Sequence, residues 1–122
     1  MSKYSSEQLR KRRHQRLRQK VKGTAERPRL CINRSLRHIH AQLIDDVAGI
    51  TVVSANTLQK EMAGQIDGAK GNRAAARIVG ENLARLAVER GVESAVFDRN
   101  GYLYHGVVQE FADAVRAGGL KI

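Results

Sequence analysis

Positive charge is confined to the first third of this chain, and that decides which part can build a core. Residues 1–37 hold 13 Lys and Arg against Glu7 and Glu26, whereas residues 38–122 hold 9 Lys and Arg against 10 Asp and Glu. The net +10 is therefore an N-terminal property. Like charges three and four residues apart repel on a helix, so the core must come mainly from the rest of the chain. With 122 residues, 42% of them hydrophobic, the chain supports one modest domain. A large multidomain enzyme is excluded. An excess of cations on this scale points to a polyphosphate partner, nucleic acid first.

No window approaches the run of about 18 apolar residues needed to span a bilayer, and no apolar signal-peptide core follows the N-terminal charges. A soluble, intracellular (cytoplasmic) protein without a membrane partner is expected. Cys31 is the single cysteine. It forms no intramolecular disulfide and reads as a small buried hydrophobe on a strand.

Ser5-Ser6-Glu7-Gln8 has the form of a helix start, with the Ser5 hydroxyl and the Gln8 side chain capping reciprocally. The run LRKRRHQRLRQKVKG comes next, with Gly23 as a stop. Leu9, Leu17 and Val21 are too sparse to bury a full face. The arm, residues 1–26, is therefore expected to be disordered or frayed alone and helical once phosphates neutralise it. As a helix, residues 6–22 would extend about 25 Å.

Pro28 opens the folded part, residues 27–122. Leu30–Asn33 is strand-like, and after a turn at Arg34–Arg37 the residues Ile39, Ala41 and Leu43 alternate with His38, His40 and Gln42. Asp45–Gly49 supplies hairpin chemistry, and Ile50–Ala55 forms a third strand. Residues 56–71, interrupted by Gly64, Gly68 and Gly71, read as a surface connection. From Asn72, a helix cap, the period becomes helical: Ala75, Ile78, Val79, Asn82, Leu83, Leu86 and Ala87 line one stripe, opposite Arg73, Arg77, Glu81, Arg85 and Glu89, until Gly91. Ala95–Phe97 reads as a buried strand, Asn100-Gly101 as a tight turn, and the residues from about Gly106 to Gly118 as a last helix. The order β-β-β-α-β-α implies an α/β fold with a mixed sheet. If both helices cover one face, the other face carries His38, His40 and Gln42.

Four chemistries compete for that face. Zinc needs three or four converging ligands, but His38 and His40 have only His14 and His105 behind them, with no CxxC or HExxH pattern. A metal-dependent nuclease needs clustered carboxylates; the first strand carries Asn33 and Arg34 instead, Asp45-Asp46 suit a turn, and Asp98 has Arg99 as a local partner. Nor is there a glycine-rich phosphate loop. No cofactor, metal, catalytic residue or small-molecule substrate is expected. RNA binding is better supplied: Arg34, Arg37 and the arm offer phosphate contacts, Ser35 and Gln42 neutral hydrogen bonds, and His38, His40, Tyr102, Tyr104 and His105 rings for stacking. No helix-turn-helix, zinc finger or basic zipper favours duplex DNA.

The segments GTAERPRL (23–30), RSLRHIHAQLIDD (34–46), VSANT (53–57), FDRNGYLYHG (97–106) and the closing GGLKI resemble the bacterial L-eighteen family of large-subunit ribosomal proteins, which bind 5S rRNA. The resemblance implies a mixed-sheet domain of the ribonuclease-H-like translational-component type without nuclease activity. It also implies attachment of 5S rRNA to the large subunit at the central protuberance, with contacts to 23S rRNA and the 5S-binding L-five protein as neighbour. Carried over by position, the binding residues are Arg10, Lys11, Arg12, Arg13, Arg16, Arg18 and Lys20 of the arm; Arg29, Arg34, Ser35, Arg37, His38, His40 and Gln42; and Arg99, Tyr102, Tyr104 and His105. Family members usually carry an aromatic residue where Asn33 stands, a tyrosine where His40 stands and an arginine where Val107 stands. These differences remove a stacking ring at 33 and a phosphate contact at 107, while His40 can still stack. A metal-dependent nuclease on the same fold and a generic RNA chaperone are the alternatives.

Overall fold

A computed structural model describes residues 5–18, 21–34, 38–56 and 73–122. Along the chain these form α1 (Ser6–Arg18), β1 (Arg29–Arg34), β2 (Ile39–Asp45), β3 (Ile50–Asn56), α2 (Arg73–Glu89), β4 (Val96–Asp98) and α3 (Val107–Ala117). The expected cap at Asn72 and the connection over 57–71 lie outside the described residues.

The sheet order is β3-β2-β1-β4, with β1 antiparallel to β2 and parallel to β4. Alternation along the strands divides the side chains between two faces. On the inner face, Leu30 pairs across to Leu43 and Val53, and Ile32 to Ala41 and Ala55, all buried. Against these pack Ala75, Ala76, Val79, Leu83, Ala84 and Ala87 of α2 and Phe111 and Val115 of α3, so both long helices serve one core. Each fully buried Leu, Ile or Phe contributes about 1.5–3 kcal/mol, which makes these rows the main source of stability. The two helices approach closely because small residues meet. A Cβ on Gly80 would stand 2.8 Å from the Phe111 carbonyl oxygen and 2.9 Å from Ala114 Cβ.

Turn chemistry follows the residue types. Gly49 (φ 70°) closes the β2–β3 hairpin, where Asp45 Oδ1 accepts the N–H groups of Val47 and Ala48. Asn100 (φ 57°) and Gly101 (φ 75°) both lie in the left-handed region after β4, as a tight Asn-Gly turn requires.

Residues Ser6–Arg18 form a helix seated on the domain, opened by the capping pair expected at Ser5 and Gln8: Gln8 N–H donates to Ser5 Oγ (3.1 Å) and Ser5 N–H to Gln8 Oε1 (2.8 Å). Its inner side is made of Leu9, Arg10, Arg13, His14, Leu17 and Arg18, each partly buried, while Lys11, Arg12, Gln15 and Arg16 are exposed. That inner side is largely polar, so a count of apolar residues underestimates its ability to dock.

Candidate nucleic-acid interface

The outer face of the sheet is built from the strand positions that alternate with the core. The register places Asn33, His40 and Asn56 in one row across β1, β2 and β3, and Cys31, Gln42 and Ser54 in the next. Both rows carry polar or weakly polar side chains, in contrast to the apolar rows beneath. Asn33, Arg34, His38 and His40 line a shallow recess at one end, with His38 and His40 half-buried and Asn33 and Arg34 exposed. Flat imidazole rings with amide and guanidinium neighbours suit stacking and hydrogen bonding to unpaired bases. Ser54 and Asn56 join this face in addition to the residues expected from the sequence. Their alternation with Val53 and Ala55 is the signal that assigns them to it.

Next to this recess, the loop after β4 is fastened to β1. Tyr102 Oη accepts from the Arg34 N–H (3.2 Å) and lies 2.9 Å from the Arg34 carbonyl oxygen and 3.3 Å from Asn33 Oδ1. One face of the Tyr102 ring lies under Arg10, whose Cζ is 4.7 Å from the ring centroid, so this ring packs within the protein. Tyr104 meets Phe97 edge-on and accepts a hydrogen bond from Arg116 Nη1 (2.7 Å), yet stays 40% exposed. His105 is exposed and Arg99 partly so.

Arg29 occupies a different position from the one expected. It is 8% exposed, although its alternation with Leu30 sets it on the same sheet face as Cys31, and it donates from Nε and Nη2 to the two oxygens of Asp46 (3.0 and 3.2 Å) and from Nη1 to Asp98 Oδ2 (2.8 Å). With its fork engaged by two carboxylates, it ties β1 to Asp46 and Asp98. Asp98 likewise pairs with Arg29 and His14 rather than with Arg99. Fully buried, it accepts the Asn100 N–H (2.9 Å) at Oδ1 and lies 3.0 Å from His14 Nε2 at Oδ2. Burial pushes its carboxyl up, but the Asn100 amide, His14 and Arg29 together hold it below the ordinary range. Hydrogen bonds from Arg29 hold Asp46 down as well, against burial and with help from the Gly23 N–H (2.7 Å). Burial, then the Asp98 charge, push the Cys31 thiol up to about 11, which disfavours the reactive thiolate at neutral pH.

The arm's cations divide by helix face. Arg10 Nη1 donates to the Asn100 carbonyl (2.8 Å) and Arg13 Nε to the Gly101 carbonyl (2.9 Å). Arg18 donates to the Val21 carbonyl and lies 3.8 Å from Asp46. These three, expected at phosphate, face the domain. Lys11, Arg12 and Arg16 occupy the exposed side. Lys20, Ser35 and Arg37 lie outside the described residues.

Among the described residues no three His, Cys, Asp or Glu converge as metal ligands, and no helix is long and apolar enough to cross a membrane.

Comparison with known proteins gives this geometry its context. Residues 4–122 match the family model described as ribosomal L18 of archaea, bacteria, mitochondria and chloroplast. The chain is 54% identical over 121 residues to the large ribosomal subunit protein uL18 of Thermoanaerobacter sp. (strain X514), covering 99% of this chain and 98% of that protein. It is 55% identical over 113 residues to the uL18 of Pelotomaculum thermopropionicum, covering 93% and 92%. To that of Clostridium novyi (strain NT) it is 52% identical over 120 residues, with 98% of each covered. On the family match and these identities, the chain belongs to the ribosomal L18 family, whose members are structural proteins of the large ribosomal subunit and not enzymes.

Proposed function

We propose that this protein binds 5S rRNA and helps attach it to 23S rRNA at the central protuberance, beside the 5S-binding L-five protein. The observation that carries the reading is the polar outer sheet face, with His38 and His40 beside Arg34 in one recess. None of these outer-face side chains belongs to the apolar core, and they have the stacking and hydrogen-bonding chemistry of an RNA-binding face. Lys11, Arg12 and Arg16, on the exposed side of α1, supply the sequence-independent attraction to phosphate. Arg12 and Arg16 are four residues apart, about 6 Å along the helix axis and on one face, so both can meet one RNA backbone. In this reading Ser35, Arg37, Arg99, Tyr104 and His105 also contact RNA.

Gel-shift titrations of 5S rRNA against tRNA and duplex DNA test it. Binding of 5S rRNA at least tenfold tighter than either competitor supports the reading; equal affinity for all three sinks it.

A further inference from the structure

We infer that Asp98 is a positioning residue for the arm: together with Arg29 it fixes where α1 sits on the domain, and so where Lys11, Arg12 and Arg16 present their charges. This role rests on the proposed rRNA binding and adds to it a residue that touches no RNA.

Four observations converge on this carboxylate. It is fully buried at the end of β4, beside the β1 residue Cys31 in the parallel register. Its Oδ2 lies 2.8 Å from Arg29 Nη1 in the sheet and 3.0 Å from His14 Nε2 on α1, so one oxygen joins the domain to the arm. Its Oδ1 accepts the Asn100 N–H and thereby shapes the turn whose Asn100 and Gly101 carbonyls receive Arg10 and Arg13. The same turn passes so close to α1 that a Cβ on Gly101 would stand 2.1 Å from the Arg10 carbonyl oxygen. Polar contacts from Arg10, Arg13 and His14, all made to the segment 98–101, define both the rotation and the height of the helix.

A helix held at three points carries its exposed cations at fixed positions. Salt-dependent affinity counts phosphates neutralised together, and a tethered but freely rotating helix would neutralise fewer of them in register. Positioning through Asp98 thus raises the number of phosphate contacts without adding a cation.

The test uses the full chain and 5S rRNA, with affinity measured from low to moderate salt for wild type, His14→Ala, His14→Gln and Asp98→Asn. His14→Ala removes the arm's link and leaves the Arg29–Asp98 pair in place, so it decides the matter even if Asp98→Asn does not fold. The expected result is about tenfold weaker binding for His14→Ala and a log K against log salt slope shallower by about 2, at roughly 0.9 per phosphate on duplex. His14→Gln, which keeps a donor toward Asp98, restores most of both. A stabilising role alone would shift the unfolding midpoint and leave the slope unchanged. Wild-type slope and affinity in His14→Ala overturn the inference. A wild-type chain that does not prefer 5S rRNA to tRNA overturns instead the reading beneath it.

Discussion

Arg29 on β1 reaches diagonally across the parallel strand pair to Asp98 on β4, two positions beyond its register partner Val96, and meets it at 2.8 Å. Asp46, from the hairpin after β2, takes the other two arms of the same guanidinium. One side chain thereby ties together three segments that are distant in sequence.

Arg29→Met is expected to destabilise the domain by about 3 kcal/mol, because breaking a buried pair is strongly destabilising and here takes the shared cation from both Asp46 and Asp98. Urea unfolding followed by circular dichroism measures it. A loss below about 1 kcal/mol would show that His14 and the Asn100 N–H suffice to hold Asp98.

Acid should unfold the protein through the same cluster. Asp46 and Asp98 are both held below the ordinary carboxylate range in the folded state. A depressed carboxylate contributes stability that is fully present above the unfolded value, about 3.9, and is lost as pH falls through the folded one. Unfolding free energy should therefore be insensitive to these groups at pH 6–8 and drop below about pH 4. In Asp46→Asn the drop should be smaller; an identical acid profile in that variant contradicts the assignment.

Gly101→Ala should release α1. The left-handed φ of 75° costs a residue with a Cβ about 1–2 kcal/mol, and that Cβ would collide with the Arg10 carbonyl. Amide exchange of residues 9–18 should quicken, while protection in β1 and β2 is retained. Unchanged exchange in α1 would show that the turn and helix can separate slightly without undocking.

Replacing His38 and His40 together by alanine should weaken 5S rRNA binding by at least tenfold, taking about 1–3 kcal/mol per stacked base. The unfolding midpoint should hardly move, since neither side chain belongs to the core. Wild-type affinity in the double variant would remove the recess from the interface.

How much of this the sequence discloses depends on what each element buries. Where apolar side chains carry the pattern, the reading is direct: Ile39, Ala41 and Leu43 and, from the helical stripe, Ala75, Val79, Leu83 and Ala87 are core in the structure with Ile78 and Leu86 packed against it, whereas Asn82 is half-buried and donates to the Ile78 carbonyl. The turns at Gly49 and Asn100-Gly101 are equally legible, because only a few residue types tolerate positive φ. The docking of α1 is not legible, since its inner face is made of Arg10, Arg13 and His14, whose partners are carbonyls and a carboxylate some 84 to 90 residues away. For the same reason Arg29 resembles one more cation in a basic third of the chain. What distinguishes it is proximity to Asp46 and Asp98, which only the folded chain supplies.

β1 extends three residues past the end of its pairing with β4, whose register stops at Cys31 and Asp98. At that open edge both the N–H and the carbonyl of Arg34 meet the Tyr102 hydroxyl. A single phenol thus acts as a plug for an unpaired sheet margin, the feature through which strands of separate molecules add to one another. A chain with phenylalanine at 102 would keep the ring under Arg10 yet release both Arg34 backbone groups at that margin, where a strand from a second copy could add at high concentration.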